Sequence, residues 1–208
     1  MSTSRAASTV CVLGVLHVTD PDGHELGPVP AGRAEVLLRR LVAADGALVD
    51  TDTLVDALWD DDAPPTADRI IASLVSRVRR SIGSSVITGS SSTGYRFNAG
   101  PSWTSDLATV EELTKAAQAR AALSPAVTIT AARRAFALLA RGAPELSPRF
   151  AQRRWAEDQQ RYVDALVRRL NRARWDAEAH LACGATSPAR PRRCSPTLRR
   201  TSWRPGCS

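Results

Sequence analysis

The sequence predicts an α+β winged helix-turn-helix with an N-terminal β-sheet, followed by an all-α tetratricopeptide-like helical domain. Three observations support this fold class. A β-rich run opens the chain, three amphipathic helical segments lead directly into a hairpin, and small Ala-rich helices follow Pro101. The order β–β–α–α–α–β-hairpin is that of a winged helix with an N-terminal sheet.

The first strands are predicted from composition and turn chemistry. Residues 10–19 are rich in β-forming side chains, and residues 20–23 read Asp-Pro-Asp-Gly, which is typical of a turn. A weak second strand is expected near residues 25–26. Together these segments predict the N-terminal sheet.

Two helices follow the strands. Residues 32–44 show apolar periodicity, and a shorter helix is expected over residues 52–59 with Thr51 as its N-cap. Pro64 and Pro65 cannot continue a helix, so a loop must follow. The short connections suit a helix-turn-helix.

Residues 66–82 form the third predicted helix, and its two faces differ in chemistry. One face carries apolar side chains at helical spacing: Ile71, Val75, Val78 and Ile82. The opposite face collects five polar residues: Arg69, Ser73, Ser76, Arg77 and Arg80. Arginine can donate two hydrogen bonds to guanine or phosphate, and serine can bond to either. We interpret this segment as a recognition helix; the alternative is an ordinary surface helix with solvated charges.

A hairpin follows at once, with strands expected at residues 86–88 and 95–97 and a turn over residues 89–94. As the wing of the winged helix, it should bring Arg96 to phosphate or to the minor groove beside the main site. Tyr95 is expected to pack beneath it. The turn contains no Arg or Lys, which departs from wings of this type and counts against DNA binding.

Several motifs occur in order and at consistent spacing: residues 12–18, 54–59, 64–65, 75–83 and 94–97. As a set they resemble the Streptomyces antibiotic regulatory protein family, over residues 10 to about 100. The resemblance implies a response-regulator-type winged helix joined to a bacterial transcriptional activation domain of tetratricopeptide-like helices. It also implies cooperating protomers, a homo-oligomer on direct repeats of double-stranded promoter DNA, and recruitment of RNA polymerase.

The net charge of +7 is unevenly distributed. Residues 1–100 hold nine Arg and twelve acidic residues, whereas residues 184–208 hold six Arg and no acid. Within the acidic first part, four arginines nevertheless cluster at positions 69, 77, 79 and 80. Because binding to DNA needs positive charge on one face, this local cluster says more about function than the total charge.

Other function classes find no support in the sequence. No apolar run of membrane-spanning length and no signal peptide occur, so we expect a cytoplasmic protein without membrane contact. The three histidines are scattered and no phosphate-binding glycine motif is present, so we expect neither an enzyme nor a cofactor. The four cysteines lack metal-ligand spacing, so no metal is expected, and Cys11 is interpreted as a small core residue.

Residues 101–183 predict further helices. Ser124-Pro125 and Ser147-Pro148 each place Ser at an N-cap and Pro at the first helical position. The last helix should bury one stripe of side chains: Trp155, Tyr162, Leu166 and Leu170. We interpret this part as a partial activation domain, although a generic helical bundle fits the pattern equally well.

Residues 184–208 are rich in Arg, Pro and Ser and predict a disordered tail. A C-terminally truncated or frameshifted product is the favoured interpretation, because tetratricopeptide-like stacks need several repeats. The alternative is a basic tail that binds DNA non-specifically. The expected domains are therefore residues 1–100, 101–183 and 184–208.

The sequence thus predicts a sequence-specific DNA-binding transcriptional activator. Two alternatives remain: a helical protein-interaction adaptor that does not bind DNA, and a non-functional fragment of such a regulator. Asp60, Asp61 and Asp62 precede the recognition helix, where winged helices of this type often contact polymerase. We expect this acidic loop to meet a basic surface of a sigma factor.

Overall fold

The computed structural model of the protein describes residues 7–142 and 154–185. The elements follow in this order: β1 (Ser8–Cys11), β2 (His17–Thr19), α1 (Arg33–Ala43), α2 (Thr51–Trp59), α3 (Ala67–Ile82), β3 (Ile87–Ser90), β4 (Gly94–Phe97), β5 (Trp103–Ser105), α4 (Asp106–Arg120), α5 (Pro125–Leu139) and α6 (Arg154–Ala185). The predicted fold class, a winged helix-turn-helix with an N-terminal sheet followed by a helical region, is confirmed.

The N-terminal sheet differs from the prediction in its strands. The run over residues 10–19 is two strands, because the backbone reverses at Gly14, whose φ is 68°. β1 therefore pairs antiparallel with β2, Val10 opposite Val18. The strand expected near residues 25–26 is reduced to an isolated bridge between Thr19 and Glu25.

The third strand of that sheet was not predicted. β5 pairs in parallel with β1, so the sheet order is β2-β1-β5. Its three residues are too few to show a period, and their partner lies about ninety residues earlier in the chain. The sheet thus extends past residue 100, the expected domain boundary. The division into domains stays a prediction.

Helices α1, α2 and α3 bury their apolar sides in one core with the hairpin. Leu37, Leu41, Leu54, Leu58 and Ile71 are each 0% exposed. α2 begins one residue earlier than predicted, and its cap is Asp50, whose carboxylate accepts a 2.6 Å hydrogen bond from the Thr53 amide. The predicted cap, Thr51, instead lies within the helix, because Asp50 keeps the extended backbone that a cap requires.

The hairpin of β3 and β4 packs on this core through Ile87 and Phe97. Its turn is tighter than predicted, because strand pairing extends to Ser90 and Gly94. β4 is also bridged to the segment before α2. The Val49 amide donates to the Tyr95 carbonyl at 2.8 Å, and the Tyr95 amide donates to the Val49 carbonyl at 2.9 Å.

Helices α4, α5 and α6 pack on one another and form the helical region. Pro125 occupies the first turn of α5 after Ser124, as predicted. In α6, Leu166 and Leu170 are buried as predicted, but Tyr162 is 39% exposed and Val163 takes the core position. The phenolic hydroxyl of Tyr162 donates to Glu111, and this need for a polar partner keeps the ring at the rim of the core.

The predicted tail lies mostly outside the described residues. Gly184 and Ala185, which were expected to belong to it, are part of α6. The Ser147-Pro148 helix start also lies outside the described residues. In the described ranges, no helix has the length and hydropathy needed to cross a lipid bilayer.

Candidate nucleic-acid interface

Helix α3 is held by its apolar face. Ile71 and Val78 are 0% exposed and Val75 is 1% exposed, so the rotation of the helix about its axis is set by the core. The helix ends at Gly83, whose φ of 129° favours glycine. The opposite side of α3 is therefore fixed toward solvent.

The structure places all five predicted α3 residues on that solvent-facing side. They are exposed in every case: Arg69, Ser73, Ser76, Arg77 and Arg80. We call this set the α3 outer face.

Within the described part of the chain, the arginines of the α3 outer face form no ion pair with an acidic side chain. Arg80 bonds to a backbone carbonyl of its own helix: its Nε donates to the Ser76 carbonyl at 3.3 Å. The Ser76 hydroxyl similarly donates to the Ala72 carbonyl at 2.9 Å. Both side chains can exchange these weak local bonds for a ligand.

Arg96 lies exposed on β4, and its Nε donates to the Thr88 hydroxyl across the hairpin at 3.1 Å. Tyr95 is 3% exposed, and burial raises the pKa of its hydroxyl. It packs beneath the hairpin as predicted.

The hairpin tip carries several hydroxyl groups: Ser90 Oγ lies 3.0 Å from both Ser92 Oγ and Thr93 Oγ1. These can donate to phosphate but supply no charge.

Arg79 has a place in the structure that the sequence did not indicate. Its Nε donates to the Ile87 carbonyl and its Nη2 to the Gly89 carbonyl, each at 3.0 Å. In the sequence, Arg79 belongs to the basic cluster by its charge, which carries no information about where its side chain points. The signal that separates it from the α3 outer face is its position on the helix flank: Val75 and Ile82, its neighbours one turn away on either side, are both buried.

The acidic loop of Asp60, Asp61 and Asp62 is exposed between α2 and α3. Asp60 adopts a φ of 51°, which ends α2. A cavity of about 490 Å³ lies beside the loop, and α1 and α6 supply Arg40 and Arg154 to its wall. The structure therefore presents all three carboxylates at the surface, and Asp60 and Asp61 line the same cavity as the two arginines.

One cluster with metal-ligand chemistry was missed by the sequence analysis. Ligand atoms of Asp20, Asp22 and His24 lie within 4.8 Å of one another in the turn after β2. The Asp20 carboxylate accepts bonds from the Asp22 and His24 amides, at 2.9 and 2.8 Å, and the His24 amide is the main cause of its lowered pKa. These bonds are those of an Asx-type turn, which accounts for the cluster without a metal.

Comparison with known proteins relates the chain to transcriptional regulators. Residues 31–97 match the family model described as "Transcriptional regulatory protein, C terminal". Among solved structures, EmbR of Mycobacterium tuberculosis, in complex with a low-affinity phosphopeptide, is similar with a TM-score of 0.62 and 25% identity. The chain therefore carries a winged-helix domain of the kind found in transcriptional regulatory proteins, and it is similar to regulators of the Streptomyces antibiotic regulatory protein type. The family of that domain is one of regulators and not a class of enzymes.

The extent of the likeness to EmbR differs between the two chains. It covers 86% of this chain but 46% of EmbR. The chain therefore spans about half the length of that protein. The search of curated proteins found no match.

Proposed function

We propose that this regulator binds double-stranded promoter DNA with α3 in the major groove and activates transcription. The observation that carries the proposal is the α3 outer face. It presents three guanidinium groups and two hydroxyls on a helix whose orientation is fixed by a buried apolar side. Arginine and serine are side chains that bind both base edges and phosphates.

The resemblance of the chain to the Streptomyces antibiotic regulatory protein family supports a more specific arrangement. Cooperating protomers occupy direct repeats in the promoter, and the complex recruits RNA polymerase through a sigma factor. The exposed carboxylates of Asp60, Asp61 and Asp62 suit a basic surface on that factor. Arg96 on the hairpin adds a contact to phosphate or to the minor groove.

Selection from a random duplex library tests the DNA-binding proposal and requires no known operator. The enriched duplexes should carry one motif, repeated in the same orientation about one helical turn apart. With the selected duplex, Arg77→Ala/Arg80→Ala should reduce the binding free energy by about 1–3 kcal/mol for each base that an arginine no longer reads. Arg133→Ala/Arg134→Ala, which removes two exposed arginines from α5, is the matched control. Unchanged binding by a folded Arg77/Arg80 double variant would show that α3 does not read DNA.

A separate experiment tests polymerase recruitment. The triple variant Asp60→Asn/Asp61→Asn/Asp62→Asn should bind the selected duplex with wild-type affinity and activate less in transcription with purified polymerase holoenzyme. Asp22→Asn, an exposed acidic residue outside the loop, controls for general loss of charge. Full activation by the triple variant would remove the loop from the proposed contact.

The adaptor hypothesis rests on a different observation. Trp175 on α6 is 61% exposed, close to Arg168 and Arg172 on the same helix surface. Tryptophan and arginine are enriched at the energetic centres of protein interfaces. An adaptor without DNA binding would show no enrichment in the duplex selection, and equal, weak affinity for any DNA. That outcome would favour the α6 surface over α3 as the functional one.

A further inference from the structure

The two strands of the hairpin are attached to the domain in different ways. β4 is held by paired backbone hydrogen bonds to Val49. β3 is joined to α3 by the side chain of Arg79, which reaches the carbonyls of Ile87 and Gly89 at 3.0 Å each. Residues two apart on a strand point their carbonyls to the same edge. Arg79 therefore binds the edge of β3 that faces away from β4.

The chemistry of this attachment depends on the shape of the guanidinium group. Its donors form a rigid planar fork, so one side chain can satisfy two carbonyls at a set separation. A lysine ammonium keeps the charge but is a compact point donor on a flexible stem. Hydrogen bonds from a charged donor are also stronger than those between neutral groups.

We propose that Arg79 is a positioning residue that fixes the hairpin against α3, and that its guanidinium does not bind DNA. This inference rests on the proposed function, because it assigns the hairpin a set position beside the DNA-reading helix. Arg79 is half-buried, whereas Arg77 and Arg80 are exposed. Two of its five guanidinium donors are already engaged with β3, and these two bonds fix the direction of the side chain.

The first test needs no DNA. Amide hydrogen exchange of the whole chain is compared for wild type, Arg79→Lys and the control Arg77→Lys. Exchange of hairpin amides should accelerate about tenfold in Arg79→Lys, the effect of losing one bond to a charged donor, and stay unchanged in Arg77→Lys. If the hairpin amides of Arg79→Lys exchange at the wild-type rate, the proposal is overturned. So would faster exchange across all of α1–α3, because Arg79 would then stabilise the whole domain.

The second test uses the selected duplex and a charge-preserving variant. Arg79→Lys should weaken binding as much as Arg79→Ala and leave the salt slope of the affinity unchanged. In the Arg79→Lys background, Arg96→Ala should cost less than in wild type, since a loosened hairpin no longer holds Arg96 at the DNA. A phosphate-binding Arg79 predicts the reverse: Lys retains most of the affinity, and Ala lowers the salt slope by about one. If no duplex is selected, the proposed function fails while the exchange result still judges the role of Arg79.

Discussion

At the scale of single residues, Gly14 lies where the backbone after β1 meets the backbone that follows α5. Its amide donates to the Gly142 carbonyl at 3.1 Å, and its φ is 68°. A Cβ at this position would lie 2.5 Å from the carbonyl oxygen of Arg141. Both the conformation and the space therefore require glycine.

Gly14→Ala should lower the free energy of unfolding by more than the strain of a positive φ alone, which is about 1–3 kcal/mol. Gly23→Ala is the matched control, because Gly23 has a φ of 90° but nothing within 4 Å of its added Cβ. Urea unfolding of the two variants isolates the cost of the contact with Arg141. If both variants lose the same free energy of unfolding, the backbone around Arg141 moves away from the added Cβ at no cost.

Arg96 is the second residue with a specific expectation. If it binds phosphate, Arg96→Ala should weaken all DNA sequences alike and reduce the salt slope by about one. Thr88→Val removes its hydrogen-bond partner without changing charge and should leave the slope unchanged. Affinity measured at several salt concentrations decides the matter, and an unchanged slope for Arg96→Ala would refute the phosphate role.

At the scale of secondary-structure elements, α2 depends on its N-terminal cap. The Asp50 carboxylate accepts from the Thr53 amide, and this bond holds the pKa of Asp50 below its ordinary value of 3.8. A carboxyl whose pKa is lowered by folding stabilises the fold above its unfolded pKa, and this contribution disappears as pH falls through the folded value. The short helix before the acidic loop is thus secured at neutral pH.

Asp50→Ala should lower the free energy of unfolding by about 1 kcal/mol at neutral pH. The difference from wild type should shrink as pH falls below 3.8, because the wild-type cap is protonated there. Asp56→Ala, an exposed change within the same helix, serves as control. A pH-independent difference between Asp50→Ala and wild type would contradict the capping role.

At the scale of the whole molecule, the β1–β2 turn joins the winged helix to the helical region. From α1, buried Arg39 donates to the carbonyls of Val12 and Gly14. From α4, the carboxylate of Asp106 accepts from the amides of Val12 and Leu13 at 2.9 and 3.1 Å. Asp106 is 2% exposed, and Arg141 lies 3.7 Å from it. The turn is therefore held from both sides by buried charges.

Burial raises the pKa of Asp106 above 3.8, and this effect exceeds the opposing effects of its hydrogen bonds and of Arg141. A raised pKa means that its contribution to stability is fully present below pH 3.8 and is lost as pH rises through the folded pKa. Asp106→Asn, which does not titrate, should lack this decline in the free energy of unfolding. Denaturant unfolding at a series of pH values measures it, with Asp22→Asn as control. Parallel curves for wild type and Asp106→Asn would contradict the prediction.

The sequence by itself determined the elements whose signals are local. The period of 3.6 residues marked α1 and α3, the Ser and Gly residues marked the hairpin turn, and the same period put Arg69, Arg77 and Arg80 on the side of α3 opposite its buried stripe. Their contact with DNA stays a prediction. The sequence predicts which side chains share a helix face, because these side chains are only three or four positions apart.

The tertiary structure alone decided which partners meet across long stretches of chain. β5 pairs with β1, and Asp106 accepts hydrogen bonds from the β1–β2 turn some ninety residues away. Arg79, which the sequence places in the basic cluster, donates to the edge of β3. Each of these depends on a donor, an acceptor or a strand edge left open after local structure has formed. Periodicity cannot specify such pairs, because their geometry exists only when the helices and strands are packed together.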